Sequence, residues 1–126
     1  MSIDEYFESV KDYILADSSV ADLKVIKQVN RSNNGHLRAR IRFLDDSVLE
    51  FSEFIEKSSG NEIQLVTYSY HWVNAQNTLL RRWDNTPHFP KLENAPHHVH
   101  VGEQVFPGSP VNIFLCLLYT SDAADE

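Results

Sequence analysis

The chain reads as an α+β domain, an antiparallel five-stranded meander sheet with an N-terminal helix and a truncated C-terminal helix. Three observations predict this. Apolar residues recur three and four apart at the start, the period drops to two from about Val20, and clusters of Asn, Asp, Ser and Gly then divide the chain into short blocks. Connections this short join antiparallel neighbours.

Ile3, Tyr6, Phe7, Val10 and Ile14 line one face of the first helix. Ser2 and Glu5 have capping-box spacing, and Asp4, Glu5 and Glu8 place negative charge at the positive end of its dipole. Asp17, Ser18 and Ser19 end it by competing for backbone hydrogen bonds. Asn34-Gly35 then predicts a tight hairpin, because both accept the positive φ of a primed turn. Leu37, Ala39, Ile41 and Phe43 alternate with Arg38, Arg40 and Arg42, giving one apolar and one cationic face. Asp45-Asp46-Ser47 makes the next turn, Val48 to Ile55 a third strand, Lys57 to Asn61 a loop and Ile63 to Trp72 a fourth strand. Asn74 to Asn77 turns into a fifth strand, Thr78 to Asp84.

Pro87, Pro90 and Pro96 bar regular structure after Asp84, since each fixes φ and lacks an amide donor. His98 to Val101 is predicted to return as a short edge strand, with Trp83 as a buried apolar anchor for the segment. Pro107 to Pro110 is a breaker, and Val111 to Phe114 reads as the first turn of a helix.

Composition bounds the function. No apolar run approaches a membrane span, and the N-terminus lacks the basic flank of a secretion signal, so a cytoplasmic protein without a membrane partner is expected. A single cysteine, Cys116, excludes an internal disulfide framework. The net charge of −7 is acidic overall.

Four of the six histidines, His88, His97, His98 and His100, lie in one short stretch with Arg82, Trp83 and Asp84. Imidazole exchanges protons near neutrality, so such a cluster supplies acids and bases or metal ligands. Cleaving RNA without metal needs a base for the ribose 2′-hydroxyl, an acid for the leaving oxygen and a cation at the phosphorus. His98 and His100 are the candidate acid–base pair and Arg82 the phosphate clamp, with His88 or Asp84 in support. This scheme requires no cofactor. In an extended segment His98 and His100 share a face while His97 points away with Val99. Metal binding by the two imidazoles with Asp84 or His88 is the weaker alternative, since the spacing matches no strong zinc pattern. The bland alternative makes Asp84-Asn85 a turn cap and the histidines polar loop residues.

Arg38, Arg40 and Arg42 form a stripe able to follow a phosphate backbone, although such stripes also serve solubility and pairing with residues such as Glu50. Tyr68, Tyr70 and Trp72 share a strand face suited to base stacking or, more often, to the core. His36 and His71, away from the cluster, read as structural or surface residues.

Taken in order, Phe43 to Glu53, then Tyr68-Ser-Tyr70-His-Trp72, Arg82-Trp83-Asp84-Asn85 with Pro87-His88, and Pro96-His97-His98-Val-His100 resemble the TumE family of bacterial toxin–antitoxin systems. The resemblance covers most of residues 1–115. It implies a small type II toxin that acts on RNA or translation beside a helix-turn-helix type antitoxin. It carries Arg82, Asp84, Asn85, His88, His97, His98 and His100 over as candidate functional residues. Asn85 and His97 are read as substrate contacts alongside Arg38, Arg40 and Arg42. The chain departs from the family pattern at Val99, where a basic residue often stands, and after about Phe114, where the family continues a helix. A rival reading keeps the toxin role but makes the cluster hold a partner protein or a metal.

Cys116 to Glu126 resembles the translation of the transposon mosaic-end adapter of tagmentation sequencing. Residues 1–115 are therefore expected to form the domain and 116–126 a non-native tail, helical through about Tyr119 at most and exposed beyond. Without Asp122, Asp125 and Glu126 the acidic residues fall from 18 to 15 against 11 basic ones, a net charge of −4.

Overall fold

The computed structural model describes residues 1–85, 96–101, 103–108, 112–114, 116–117 and 120. Helix α1 (Ile3–Leu15) starts as expected: Glu5 N–H donates to Ser2 Oγ and Ser2 N–H to the Glu5 carboxylate, at 3.0 and 3.1 Å. Its Ile3, Phe7, Val10 and Ile14 are fully buried. At its end Ser19 N–H donates to Asp17 Oδ1.

The sheet has seven strands, not five. In chain order they are β1 (Val20–Asn30), β2 (Asn34–Phe43), β3 (Val48–Lys57), β4 (Ile63–Val73), β5 (Leu79–Asp84), β6 (His98–Val101) and β7 (Gln104–Pro107), each antiparallel to its neighbour. The expected edge strand, β6, pairs in register with β5 and is itself covered by β7. β7, four residues ending at a proline, is too short for alternation to reveal. Pro107 ends the edge strand, where a missing amide donor is tolerated.

Among the described non-glycine residues, the positive-φ turn positions are Asp46, Asn61 and Asn77. Asn34-Gly35 is not the first turn. Both residues begin β2, and the chain reverses through Arg31 to Asn33, closed by Arg31 N–H donating to the Asn34 carbonyl. Gly35 is required by the helix instead. A Cβ there would lie 2.5 Å from Ile3 Cγ2, 2.7 Å from Phe7 Cε2 and 2.9 Å from the Val29 carbonyl oxygen. The Val29 oxygen is backbone and cannot move cheaply, so Gly35→Ala is expected to cost about 1–3 kcal/mol in urea unfolding, the range for overpacking. An unchanged midpoint would show that the helix can shift without loss.

One sheet face is the core. Leu37, Ala39, Ile41 and Phe43 of β2, Leu49, Phe51 and Ile55 of β3, and Tyr68, Tyr70 and Trp72 of β4 are buried with the apolar face of α1. The aromatic strand face is thus core. Trp83 joins it at 7% exposure, as its anchoring role requires. Ile113, Cys116, Leu117 and Thr120, helical and on one face, are also buried here, so Thr120 is helical and buried one residue beyond the expected limit. The rest of the expected exposed end, residues 121–126, lies outside the described residues. Phe114 packs edge-on against Tyr13 of α1 at 4.8 Å.

A single carboxylate, Glu53, lies on this apolar face among the described residues. It accepts from Tyr6 Oη at 2.9 Å, Tyr70 Oη at 2.6 Å and the Ile113 amide at 3.3 Å, joining α1, the sheet and the C-terminal turn. No helix among the described residues is long and apolar enough to cross a membrane.

Candidate active site

Because alternation sends apolar side chains toward α1, polar ones collect on the opposite face. Strand register sets them in rows. From β2 to β6, one row of facing partners is Arg40, Glu50, His71, Arg82 and His100; the next is Arg38, Ser52, Ser69, Asp84 and His98. The arginine stripe and the histidine cluster therefore occupy the same surface. Arg82 stands between two imidazoles, His71 of β4 and His100 of β6, each its direct cross-strand partner.

Asp84 organises the β5–β6 end of these rows. Its Oδ2 accepts from Arg82 Nε at 3.0 Å and lies 3.7 Å from His100 Nε2, while its Oδ1 is 2.6 Å from His98 Nε2. The Asp84 and His98 side chains are 3% and 2% exposed, against 41% for Arg82 and 24% for His100. His98 Nδ1 faces the Pro96 carbonyl at 2.9 Å, which can only accept, so Nδ1 carries a proton and donates. Both ring nitrogens of His98 are thereby engaged. Its place is to brace Asp84, which in turn holds Arg82 and faces His100.

Asp84, His98 and His100 also form the one group of described residues with ligand atoms close enough to suit a metal, all within 4.8 Å. Two ligands about 2.0–2.2 Å from a tetrahedral ion lie roughly 3.3 Å apart. The 2.6 Å between His98 Nε2 and Asp84 Oδ1 is shorter, the spacing of a shared proton. The arrangement fits a hydrogen-bonded brace better than an ion site.

Residues 10–115 match the family model described as Toxin TumE. The chain belongs to the TumE toxin family. No curated protein and no solved structure matches it.

The other sequence-derived candidates of this TumE-family toxin are dispersed. His88 lies outside the described residues. His97 turns to the core side, its Nδ1 2.7 Å from Tyr68 Oη and its ring stacked on Tyr68. Asn85 fastens β4, accepting from the Tyr68 amide and donating to the Val66 carbonyl, both at 2.9 Å. Arg38 is on the polar face and pairs with Glu50 at 2.9 Å. Arg40 and Arg42 line a separate depression with Asp22 and Lys24, and Arg42 pairs with Asp46 at 3.3 Å.

His71 is the residue that reading the sequence set aside. It alternates with buried Tyr70 and Trp72, which was signal enough that it faces away from the core. Burial holds His71 below the ordinary imidazole range, Arg82 adds to this and Glu50 opposes it. His100 is also lowered, chiefly by burial; Asp84 opposes this, while His98, Arg82 and His71 reinforce it. His36, beside Ser52 Oγ at 2.7 Å, is lowered by burial, Lys27 and Arg38.

Proposed function

We propose that this toxin cleaves RNA by metal-independent acid–base chemistry, with His71 and His100 acting on either side of a phosphate held by Arg82. The observation that carries the reading is the in-register row His71, Arg82, His100 on one sheet face. Alternate strands are about 9–10 Å apart, enough to place one phosphodiester between two imidazoles. Neutral His71 takes the proton of the 2′-hydroxyl, whose oxygen attacks phosphorus. The bond from phosphorus to the 5′ oxygen breaks, and protonated His100 donates its proton to that oxygen. Arg82 offsets the charge that builds on the phosphoryl oxygens. The acid is given to His100 because its Nε2 lies 3.7 Å from the Asp84 carboxylate, which opposes the fall that burial imposes on its pKa. His98 acts through Asp84 and is a positioning residue rather than the second member of the acid–base pair. In the cell, the partner that restrains this activity is a cognate antitoxin of the helix-turn-helix type in a type II system.

The chemistry fixes its test. Incubation of the purified chain with a single-stranded RNA should give 2′,3′-cyclic phosphate and 5′-hydroxyl ends, no cleavage of the 2′-deoxy analogue, and an unchanged rate with a chelator. Cleavage of the deoxy strand would rule out 2′-hydroxyl attack. Chelator-sensitive cleavage would make the Asp84, His98 and His100 group a metal centre.

A further inference from the structure

The polar face continues past the proposed site in a trough that the reaction itself does not use. Next to Arg82 and His71 is a depression of about 330 Å³ whose far wall is Arg38 and His36. A second, of about 390 Å³, shares His36, Ser52 and Ser69 with the first and runs on to Phe54, Lys27 and Arg31. The two form one groove across the strands, from β5 to the outer strand β1. With neighbouring strands about 4.8 Å apart, the four steps from β5 to β1 put Arg82 and Lys27 roughly 19 Å from each other.

The lining has two chemistries. Cations are spaced along it: Arg82, then Arg38, then Lys27 with Arg31, although the chain as a whole carries −7. The acid on its floor, Glu50, is already paired with Arg38. That pair is exposed, 52% and 37%, so exchanging it for a phosphate costs little. Apolar and aromatic surface lies between the cations. Phe54 is half-buried on the polar face of the sheet, directly opposite His36 of β2 and Thr67 of β4, and it lines the second depression.

We infer that this groove binds a single-stranded RNA chain on one side of the scissile phosphate, with phosphates on Arg38, Lys27 and Arg31 and a base against Phe54. The inference rests on the reading of His71, Arg82 and His100 as the cleavage site and names the form of RNA presented to it. Alternating cations and an aromatic platform in a narrow groove are how single strands are held without a duplex. Each depression has the volume of a small-molecule site, room for a nucleotide. Cleavage then requires an unpaired stretch of a few nucleotides extending from the reacting phosphate toward β1.

The full chain carrying His100→Ala, to prevent turnover, is titrated with a fluorescent RNA octamer, single-stranded or paired, at several salt concentrations. The single strand should bind at least about 10-fold more tightly than the duplex. Adding Lys27→Ala and Arg31→Ala should weaken octamer binding about 10-fold or more and reduce the salt slope by about 1.4, or about 0.7 for each phosphate that is no longer neutralised. Adding Phe54→Ala should weaken it about 5- to 100-fold, the range for removing one base stack. Lys11→Ala on α1 serves as control, and circular dichroism checks folding. In a background with His100 intact, the Lys27 and Arg31 changes should lower the octamer-to-dinucleotide ratio of kcat/KM. Octamer affinity equal to the parent's in these variants, duplex binding as tight as single-strand binding, or loss confined to binding of an antitoxin would each overturn the inference. If His100→Ala leaves cleavage intact while the groove variants still lose the octamer, the cleavage assignment fails and the groove stands.

Discussion

Replacing His100 by alanine should reduce RNA cleavage by about 10²- to 10⁴-fold, the range for losing a general acid or base, with the fold unchanged by circular dichroism. His71→Ala should lose as much, although it lies outside the histidine-rich segment. The double variant should lose less than the product of the two, because each removes part of one proton-transfer pair. His98→Ala tests something else. As the brace of Asp84 it should change the pH profile and lower thermal stability, and rebuilding its hydrogen bond with His98→Gln should restore part of both. Retention of parental activity in His71→Ala would remove the row as the site and return the acid–base pair to His98 and His100.

The pH dependence follows from signs alone. Burial holds both His71 and His100 below the ordinary value near 6.5. A base must be neutral and an acid protonated, so kcat/KM should trace a bell whose limbs belong to the coupled pair and lie on the acid side of that value. Asp84 is the main influence opposing the drop at His100. Asp84→Asn should therefore move the bell further toward acid as well as lower it. A shift toward alkaline pH would assign Asp84 a different part.

How much of this was legible in the sequence differs from residue to residue. Helix α1 declared itself through Ser2 and Glu5, local partners three residues apart. β2 did so through unbroken alternation. Asn34-Gly35 misled because a glycine's lack of a side chain serves a turn or a close approach equally well. Only the position of Ile3 and Phe7 over Gly35 decides between them. The density of Arg82, Asp84, His98 and His100 located the region, and period-two alternation put His98 and His100 on one face and His97 on the other. What was hidden is register. Extending the pairing of Val73 with Leu79 outward from the turn would place His71 opposite Arg81. The irregularity between Trp72 and Val73 shifts the partner to Arg82 and with it the face. A one-residue bulge therefore determines whether His71 faces Arg82, and nothing in the local composition announces it.

The largest stability effect is expected at Glu53, on the core face. Glu53→Ala leaves two tyrosine hydroxyls and the Ile113 amide without an acceptor and opens a cavity, a loss of about 2–4 kcal/mol. Glu53→Gln keeps the shape and one carbonyl acceptor, and should lose less. The two carboxyl variants also report ionisation. Burial raises the Glu53 pKa, while hydrogen bonds from Tyr70, Tyr6 and the Ile113 amide oppose the rise. A folded-state value above the unfolded one gives stability that is fully present below the unfolded pKa and lost as pH rises through the folded pKa. The stability of the parent relative to non-titrating Glu53→Gln, from urea midpoints, should thus be greater at about pH 4 than at about pH 8. A difference that moves the other way would mean that the three donors outweigh burial. Because the Ile113 amide is one of those donors, Glu53→Ala should also loosen the C-terminal turn. Cys116, 1% exposed, reports it: buried and with its thiol pKa raised by that burial, it should resist a thiol reagent in the parent and react in the variant. Equal resistance in both would mean that the apolar packing of Ile113 and Leu117 holds the turn without the carboxylate.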